Sequence, residues 1–177
     1  MPRKEARINF VAGGNDGDRV RGMEYFETQA EMLPDLACVG TSLTLERDRC
    51  GLYIVMQPLN VGIAERLEYI AAKPCPCHSI VDVHANFWEP VEGIPFIGGQ
   101  EEVFEWSHLS GGVANLERAM KAADVVTVPT AAYVPVVEQF NPNIVVVPDV
   151  ADDSEDAAWA TAKGWIEALQ IARRHKR

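Results

Sequence analysis

The chain has 177 residues, of which 47% are hydrophobic and 24% charged, a composition typical of a globular domain able to bury a full core. Its formal net charge of −10 excludes a nucleic-acid-coating surface, which requires clustered Lys and Arg. No apolar run reaches the length of a membrane span and the N-terminus lacks a signal-peptide apolar segment, so we expect a single cytoplasmic domain over residues 1–177.

Six short apolar segments predict β-strands, because they are rich in β-branched residues and too short for buried helices. They are continuously apolar rather than alternating, and helices separate most of them. This pattern predicts an α/β fold, a doubly wound Rossmann-like domain whose mostly parallel sheet of about six strands is covered on both faces. The predicted strands are Arg7 to Ala12, Leu36 to Gly40, Leu52 to Met56, Ser79 to Val83, Asp124 to Val128 and Ile144 to Val147.

Apolar residues at helical spacing predict the flanking helices. The main ones are Val20 to Met32, Val61 to Ala72, Val113 to Ala123, a short helix between Thr130 and Asn141, and a C-terminal helix within residues 152–175. In the second of these, the predicted buried face is Val61, Ala64, Leu67 and Ala71. The C-terminal helix is acidic at its start and basic at its end, which suits the helix dipole, and we expect it to pack back on the domain.

The segment 122–149 also resembles a known family, the retaining "group 1" glycosyltransferases of the GT-B type. It is similar to the end of their N-terminal Rossmann-like domain, and the layout stays compatible over residues 7–149. The matching residues are Ala123, Asp124, Val126, Val128, Thr130, Asn143, Val146, Val147, Pro148 and Asp149. The resemblance implies transfer of a sugar from a nucleotide-sugar to an acceptor, without a metal or other cofactor. Any parallel α/β domain could yield a similar strand-helix-strand unit.

The first candidate site is Gly13-Gly14, after the first predicted strand. Glycine allows a sharp turn and a close approach to a ligand, and a following helix N-terminus attracts anions. The resemblance places this loop beside the acceptor and the donor phosphates. Asp16 and Asp18 would repel a phosphate unless Arg19 offsets them, and the bland alternative is an ordinary strand-to-helix turn.

The second candidate site follows the fourth predicted strand. Asp82 and His84 are candidate catalytic residues that could orient an acceptor hydroxyl or relay its proton, since His titrates near neutral pH. Asn86 and Trp88 are candidates for substrate binding, the Trp ring matching the apolar face of a sugar. Relatives with a D-x-D-D pattern would carry aspartates where this chain has His84, Ala85 and Asn86. The alternative is a buried polar pair that caps the strand.

A third candidate is Thr130, whose hydroxyl could face the same cleft, although its simplest role is that of a helix N-cap. The four cysteines do not predict a metal site. Cys75-Pro76-Cys77-His78 has C-x-C spacing, whereas structural zinc usually takes C-x2-C pairs. Reduced, structural cysteines are the better interpretation.

Residues 150–177 are too few for a second Rossmann-like domain, which in the family holds the nucleotide-sugar. The first hypothesis is therefore the acceptor half of a GT-B enzyme, completed by a homodimer or by a separately encoded donor domain. The second is a non-catalytic Rossmann-like module that binds a nucleotide, a sugar or a protein partner. The third is an unrelated small α/β enzyme that uses Asp82 and His84.

Overall fold

The computed structural model of the chain describes residues 7–11, 37–40, 51–72, 77–88, 92, 111–149 and 155–175. The strands in these segments are β1 (Arg7–Val11), β2 (Ala37–Gly40), β3 (Gly51–Met56), β4 (His78–Asp82), β5 (Val125–Val128) and β6 (Ile144–Val146). The helices are α1 (Val61–Ala72), α2 (Gly112–Ala122), α3 (Val134–Val137), which follows a 3-10 turn at Ala131–Tyr133, and α4 (Glu155–His175). Within the same segments, no helix combines the length and the apolar character needed to cross a membrane.

The described strands form one sheet, and every neighbouring pair in it is parallel. Their order is β2-β1-β3-β4-β5-β6. The chain leaves β1 toward one side for β2 and returns to the other side for β3, so the direction of winding reverses between β1 and β3. The prediction of a doubly wound α/β fold with a parallel sheet is confirmed. In such folds ligands bind outside the carboxyl ends of the strands, beside the reversal.

Two hydrophobic clusters cover the two faces of the sheet, because successive strand residues point to opposite sides. The α1–α2 face joins both helices to one set of strand residues, among them Val55, Val81, Val83, Val126 and Val128. The α4 face joins Trp165, Ala168 and Ala172 of α4 to the other set, Phe10, Leu52, Ile54, Met56, Ile80, Val125, Val145 and Val147. Each such large side chain, when fully buried, contributes about 1.5–3 kcal/mol. The C-terminal helix therefore packs on the sheet.

Helix α1 has the bounds predicted from the sequence, but its buried face differs from the prediction. Ala64, Leu67 and Ile70 are buried, whereas Val61 is 49% exposed and Ala71 is exposed. The physical reason is size. Turning Ile70 rather than Ala71 toward the sheet removes more apolar area from water.

Asn141 does more than end the short helix before β6. Its side chain is buried, and Nδ2 donates to the carbonyl of Met120 at 2.9 Å and to that of Ala123 at 2.7 Å. These carbonyls belong to the end of α2, where the last carbonyls of a helix lack the full set of intrahelical partners. Oδ1 accepts the N–H of Asn143 at 2.9 Å. One amide thus ties the end of α2 to the turn that leads into β6.

An ion pair joins the exposed sides of α1 and α2. Arg118 Nε donates to Glu68 Oε1 at 2.8 Å, and Arg118 Nη2 donates to Glu68 Oε2 at 2.7 Å. The hydrogen bond from Arg118 lowers the pKa of Glu68 below its usual value of 4.5, and the same bond raises the pKa of Arg118. A two-bond geometry of this kind is the most specific that Arg and a carboxylate can form.

A lowered pKa in the folded state means that this pair stabilises the fold above the unfolded-state value of 4.5, and that the contribution is lost as the pH falls below it. We expect Arg118→Gln to return the pKa of Glu68 upward to its ordinary value. Titration of the Glu68 side-chain carboxyl by NMR measures this. Lys121→Gln, which removes one positive charge from the same helix, is the control and should leave the Glu68 pKa low. Equal pKa values in the two variants would contradict a role for the hydrogen bond.

Gly164 lies within α4, at the point where this helix meets the end of β6. A Cβ at this position would lie 3.1 Å from the carbonyl oxygen of Val146 and 3.1 Å from the Cα of Val147. Both contacts are with backbone, which cannot move aside as a flexible side chain would. Glycine therefore permits the close approach of α4 to β6.

We expect Gly164→Ala to lower the free energy of unfolding by about 1 kcal/mol or more, because overpacking outweighs the gain in helix propensity. Urea unfolding followed by circular dichroism measures the change. Ala160→Gly, at an exposed position of the same helix, should cost about 1 kcal/mol through propensity alone. A more stable Gly164→Ala variant would show that α4 and β6 separate freely.

Candidate functional site

The carboxyl ends of β3, β4 and β5 bring polar residues together at one edge of the sheet. Parallel register pairs Met56 of β3 with Asp82 of β4, and Asp82 with Thr127 of β5. Gln57 follows β3 directly, and His84 lies two residues beyond Asp82. Residues two apart on a strand project to the same face. Asp82 therefore stands between Gln57 and Thr127, with His84 on its own side.

Asp82 has a fully buried carboxylate, which contacts Thr127 and His84. Its Oδ1 accepts the hydroxyl of Thr127 at 2.6 Å, and its Oδ2 lies 3.2 Å from Nδ1 of His84. The Asp82 side chain is 0% exposed and the His84 side chain 10% exposed. An ionised carboxylate only accepts hydrogen bonds, so beside an ionised Asp82 a neutral His84 ring would donate from Nδ1. In that tautomer Nε2 is the ring nitrogen that carries no proton. We call Asp82 and His84 the dyad.

The main chain beside the dyad is bound by side chains from two other elements. Gln57 Oε1 accepts the N–H of His84 at 3.1 Å and that of Ala85 at 3.0 Å, and Gln57 Nε2 donates to the carbonyl of Ala85 at 3.3 Å. The hydroxyl of Tyr133, in the 3-10 turn after β5, donates to the carbonyl of His84 at 3.0 Å. Asp82, His84, Gln57 and Tyr133 thus form one connected polar network.

Trp88 lies against α2 and the segment before β6. Its Nε1 donates to Glu117 at 3.0 Å, and its ring stacks on Phe140 with 6.0 Å between centroids. The backbone N–H of Trp88 donates to Oδ1 of the buried Asn86 at 3.1 Å. These contacts anchor the chain after β4 to the α1–α2 face. The predicted substrate roles of Asn86 and Trp88 stay predictions.

Thr130 is exposed and stands at the N-terminus of the 3-10 turn. Thr130 is the N-cap residue of this turn, as predicted, although its hydroxyl makes no capping hydrogen bond. The physical reason is competition for the donor. The N–H of Tyr133, which a capping hydroxyl would need, donates at 3.1 Å to the carbonyl of Thr130 instead.

Three of the predicted substrate-binding residues, Gly13, Gly14 and Arg19, lie outside the described residues. Of the cysteines in the described residues, Cys38 lies in β2, and Cys77 is buried and takes part in no disulfide bond. In the described part of the chain, no group of three or more His, Cys, Asp or Glu residues could hold a metal ion.

Sequence reasoning found the dyad but missed Gln57, Thr127 and Tyr133. A signal existed for the first two. Gln57 is polar at the end of an apolar strand, as Asp82 is, and Thr127 interrupts the apolar run of β5. Tyr133 gave no signal, because an aromatic residue in a short helix is ordinarily part of the core.

Comparison with known proteins adds no relative. No protein-family model matches the chain, and the searches of curated proteins and of solved structures also returned no match. Any function assigned to the chain therefore has to be argued from its own residues and from the geometry of the dyad.

The Thr127–Asp82 bond should be important for stability. We expect Thr127→Val, which keeps the shape but removes the donor, to lower the free energy of unfolding by about 1–3 kcal/mol, because a buried carboxylate loses a hydrogen bond. Thr130→Val is the matched control at an exposed position and should change stability by less than about 0.5 kcal/mol. Urea unfolding of both variants provides the comparison. Equal, small effects would mean that Asp82 does not depend on Thr127.

Proposed function

We propose that this chain is a glycosyltransferase-like protein, the acceptor-binding half of a GT-B type enzyme. Its site is the carboxyl edge of β3, β4 and β5, and the dyad is its reactive part. The observation that carries the proposal is the 3.2 Å contact between Oδ2 of the buried Asp82 and Nδ1 of His84. The parallel α/β sheet supports it, because ligands of such folds bind at this edge.

The chemistry follows from the polarity of the dyad. Asp82 holds the proton on Nδ1 of His84, so that Nε2 can accept the proton of an acceptor hydroxyl. The freed oxygen then forms a bond to the anomeric carbon of the sugar, while the bond from that carbon to the nucleotide phosphate breaks. The negative charge of Asp82 stabilises the imidazolium that results. Asp82 thus orients the base, and His84 accepts the proton.

The donor must be held by a second domain in this proposal. Residues 155–175 form the single helix α4, which packs on the sheet, so they do not build a nucleotide-sugar site of their own. A donor domain, or a second copy of the chain, would close over the cleft and exclude water. In this proposal the protein is cytoplasmic, a location that fits its need for a supply of nucleotide-sugars.

A second candidate function is a non-catalytic module that binds a sugar or a nucleotide. The burial of the dyad favours it, since Asp82 is inaccessible and His84 only 10% exposed. The absence of the D-x-D-D pattern at residues 82–86 points the same way. In this alternative the dyad shapes the site and a ligand contacts its outer rim.

Thermal-shift screening against UDP-, GDP- and dTDP-sugars, the free nucleotides and simple glycosides tests both candidates. We expect glycosides or a nucleotide-sugar to stabilise the fold by about 2.7 kcal/mol at a hundred times the dissociation constant. His84→Gln should abolish this shift, because it removes the ring that faces the site. Sugar transfer that requires His84 would favour the enzyme over the binding module.

His78→Gln is the matched control. His78 lies at the opposite end of the same strand, with Nδ1 3.7 Å from the carboxylate of Asp124 and a side chain 17% exposed. Both variants lose a histidine beside a buried carboxylate, but only His84 lies at the proposed site. Retention of the ligand shift in both variants would place the ligand elsewhere, and no shift with any compound would refute the proposal.

A further inference from the structure

The chain leaves the sheet immediately after β4, and two side chains then replace the partner strand. Directly after β4, the N–H of Val83 still donates to the carbonyl of Thr127 in β5 at 2.9 Å. For the next two residues, all four main-chain polar groups are bound by side chains. Gln57 binds three of them, the N–H groups of His84 and Ala85 and the carbonyl of Ala85, and Tyr133 binds the carbonyl of His84.

Gln57 itself is held in an unusual backbone conformation. Its φ is +41°, which makes it the non-glycine residue with positive φ in the described part of the chain. Such a conformation is uncommon for a residue with a side chain and costs free energy, so it persists only where the surroundings enforce it. Here its N–H donates to the carbonyl of Asp82 at 2.8 Å, and its buried side chain makes the three bonds to His84 and Ala85. Strain of this kind concentrates at functional sites.

We propose that Gln57 is a positioning residue, which fixes the main chain of His84 so that its Nδ1 faces Asp82, with Tyr133 as a second anchor. A role of Gln57 in catalysis rests on the proposed function, whereas its positioning of the His84 main chain does not. The dyad contact of 3.2 Å is at the long end for a hydrogen bond, so a small rotation of the His84 main chain would break it. A base must be held close to its productive orientation to act.

If Gln57 were only structural, it would hold the chain after β4 without affecting which nitrogen of the His84 ring is protonated. The tautomer of His84 therefore distinguishes a structural role of Gln57 from a positioning role. In the positioned state the neutral ring carries its proton on Nδ1, because Asp82 accepts it. Two-bond ¹H–¹⁵N correlation NMR of the ligand-free protein reports which nitrogen of the neutral ring carries the proton. The chain has four histidines, and a His84→Gln spectrum assigns the signal.

Gln57→Met removes the acceptor while keeping the length of the side chain. We expect it to lower the ratio of Nδ1-protonated to Nε2-protonated His84 by about tenfold, the change expected for loss of a hydrogen bond to a charged group. Gln57→Glu is the rescue variant, because its carboxylate still accepts the two N–H groups, and it should keep most of the Nδ1-protonated form. An unchanged tautomer ratio in folded Gln57→Met would overturn the proposal.

Tyr133→Phe is a second test of the proposal, for use if the Gln57→Met variant does not fold. It removes one hydroxyl from a buried ring, and we expect a smaller shift of the tautomer in the same direction. No shift in this variant would then overturn the proposal. Ligand binding distinguishes the positioning role of Gln57 from the proposed function of the chain. A tautomer shift in the variants, in a protein that binds no sugar or nucleotide-sugar, would leave the positioning role standing and refute the proposed function.

Discussion

The buried carboxylate of Asp82 is the constraint around which this end of the molecule is built. A charge removed from water is costly unless hydrogen-bond donors surround it. The chain supplies one donor from β5, the hydroxyl of Thr127, and one from its own continuation, the ring of His84. The buried carboxylate of Asp82 thus accounts for the polar residues Thr127 in β5 and His84 just after β4.

The rest of the fold places this carboxylate at the edge of the sheet where a ligand can bind. Parallel strands bring their carboxyl ends to one edge, and covering both faces with helices leaves that edge as the natural opening. The α4 face and the α1–α2 face bury the strands up to Asp82. Beyond it, polar side chains take over the hydrogen bonding of the main chain. The transition from apolar packing to a polar network occurs within two residues of β4.

The sequence predicts what depends on local pattern and period. Continuous apolar runs identify the described strands, the bounds of α1 agree, and the spacing of Asp82 and His84 places both on one face. It cannot predict what depends on strand order or on backbone conformation. Gln57 reaches His84 only because β3 lies beside β4 and its own φ is positive. Thr130 is the N-cap residue, but its hydroxyl makes no capping bond because the N–H of Tyr133 donates to the carbonyl of Thr130. Ile70 rather than Ala71 is buried because its side chain is larger.

The side-chain clamp on His84 and Ala85 has a consequence for how this part of the chain moves. Two consecutive amides outside the sheet share a single buried acceptor, Gln57 Oε1, which is itself tied to β3. Exposing either amide to solvent requires the clamp to open together with the end of the strand. Local opening of this stretch is therefore coupled to the cooperative unit formed by β3, β4 and β5. The amide protons of His84 and Ala85 should exchange with solvent as slowly as those of the central strands, so these two residues belong dynamically to the core although they lie outside β4.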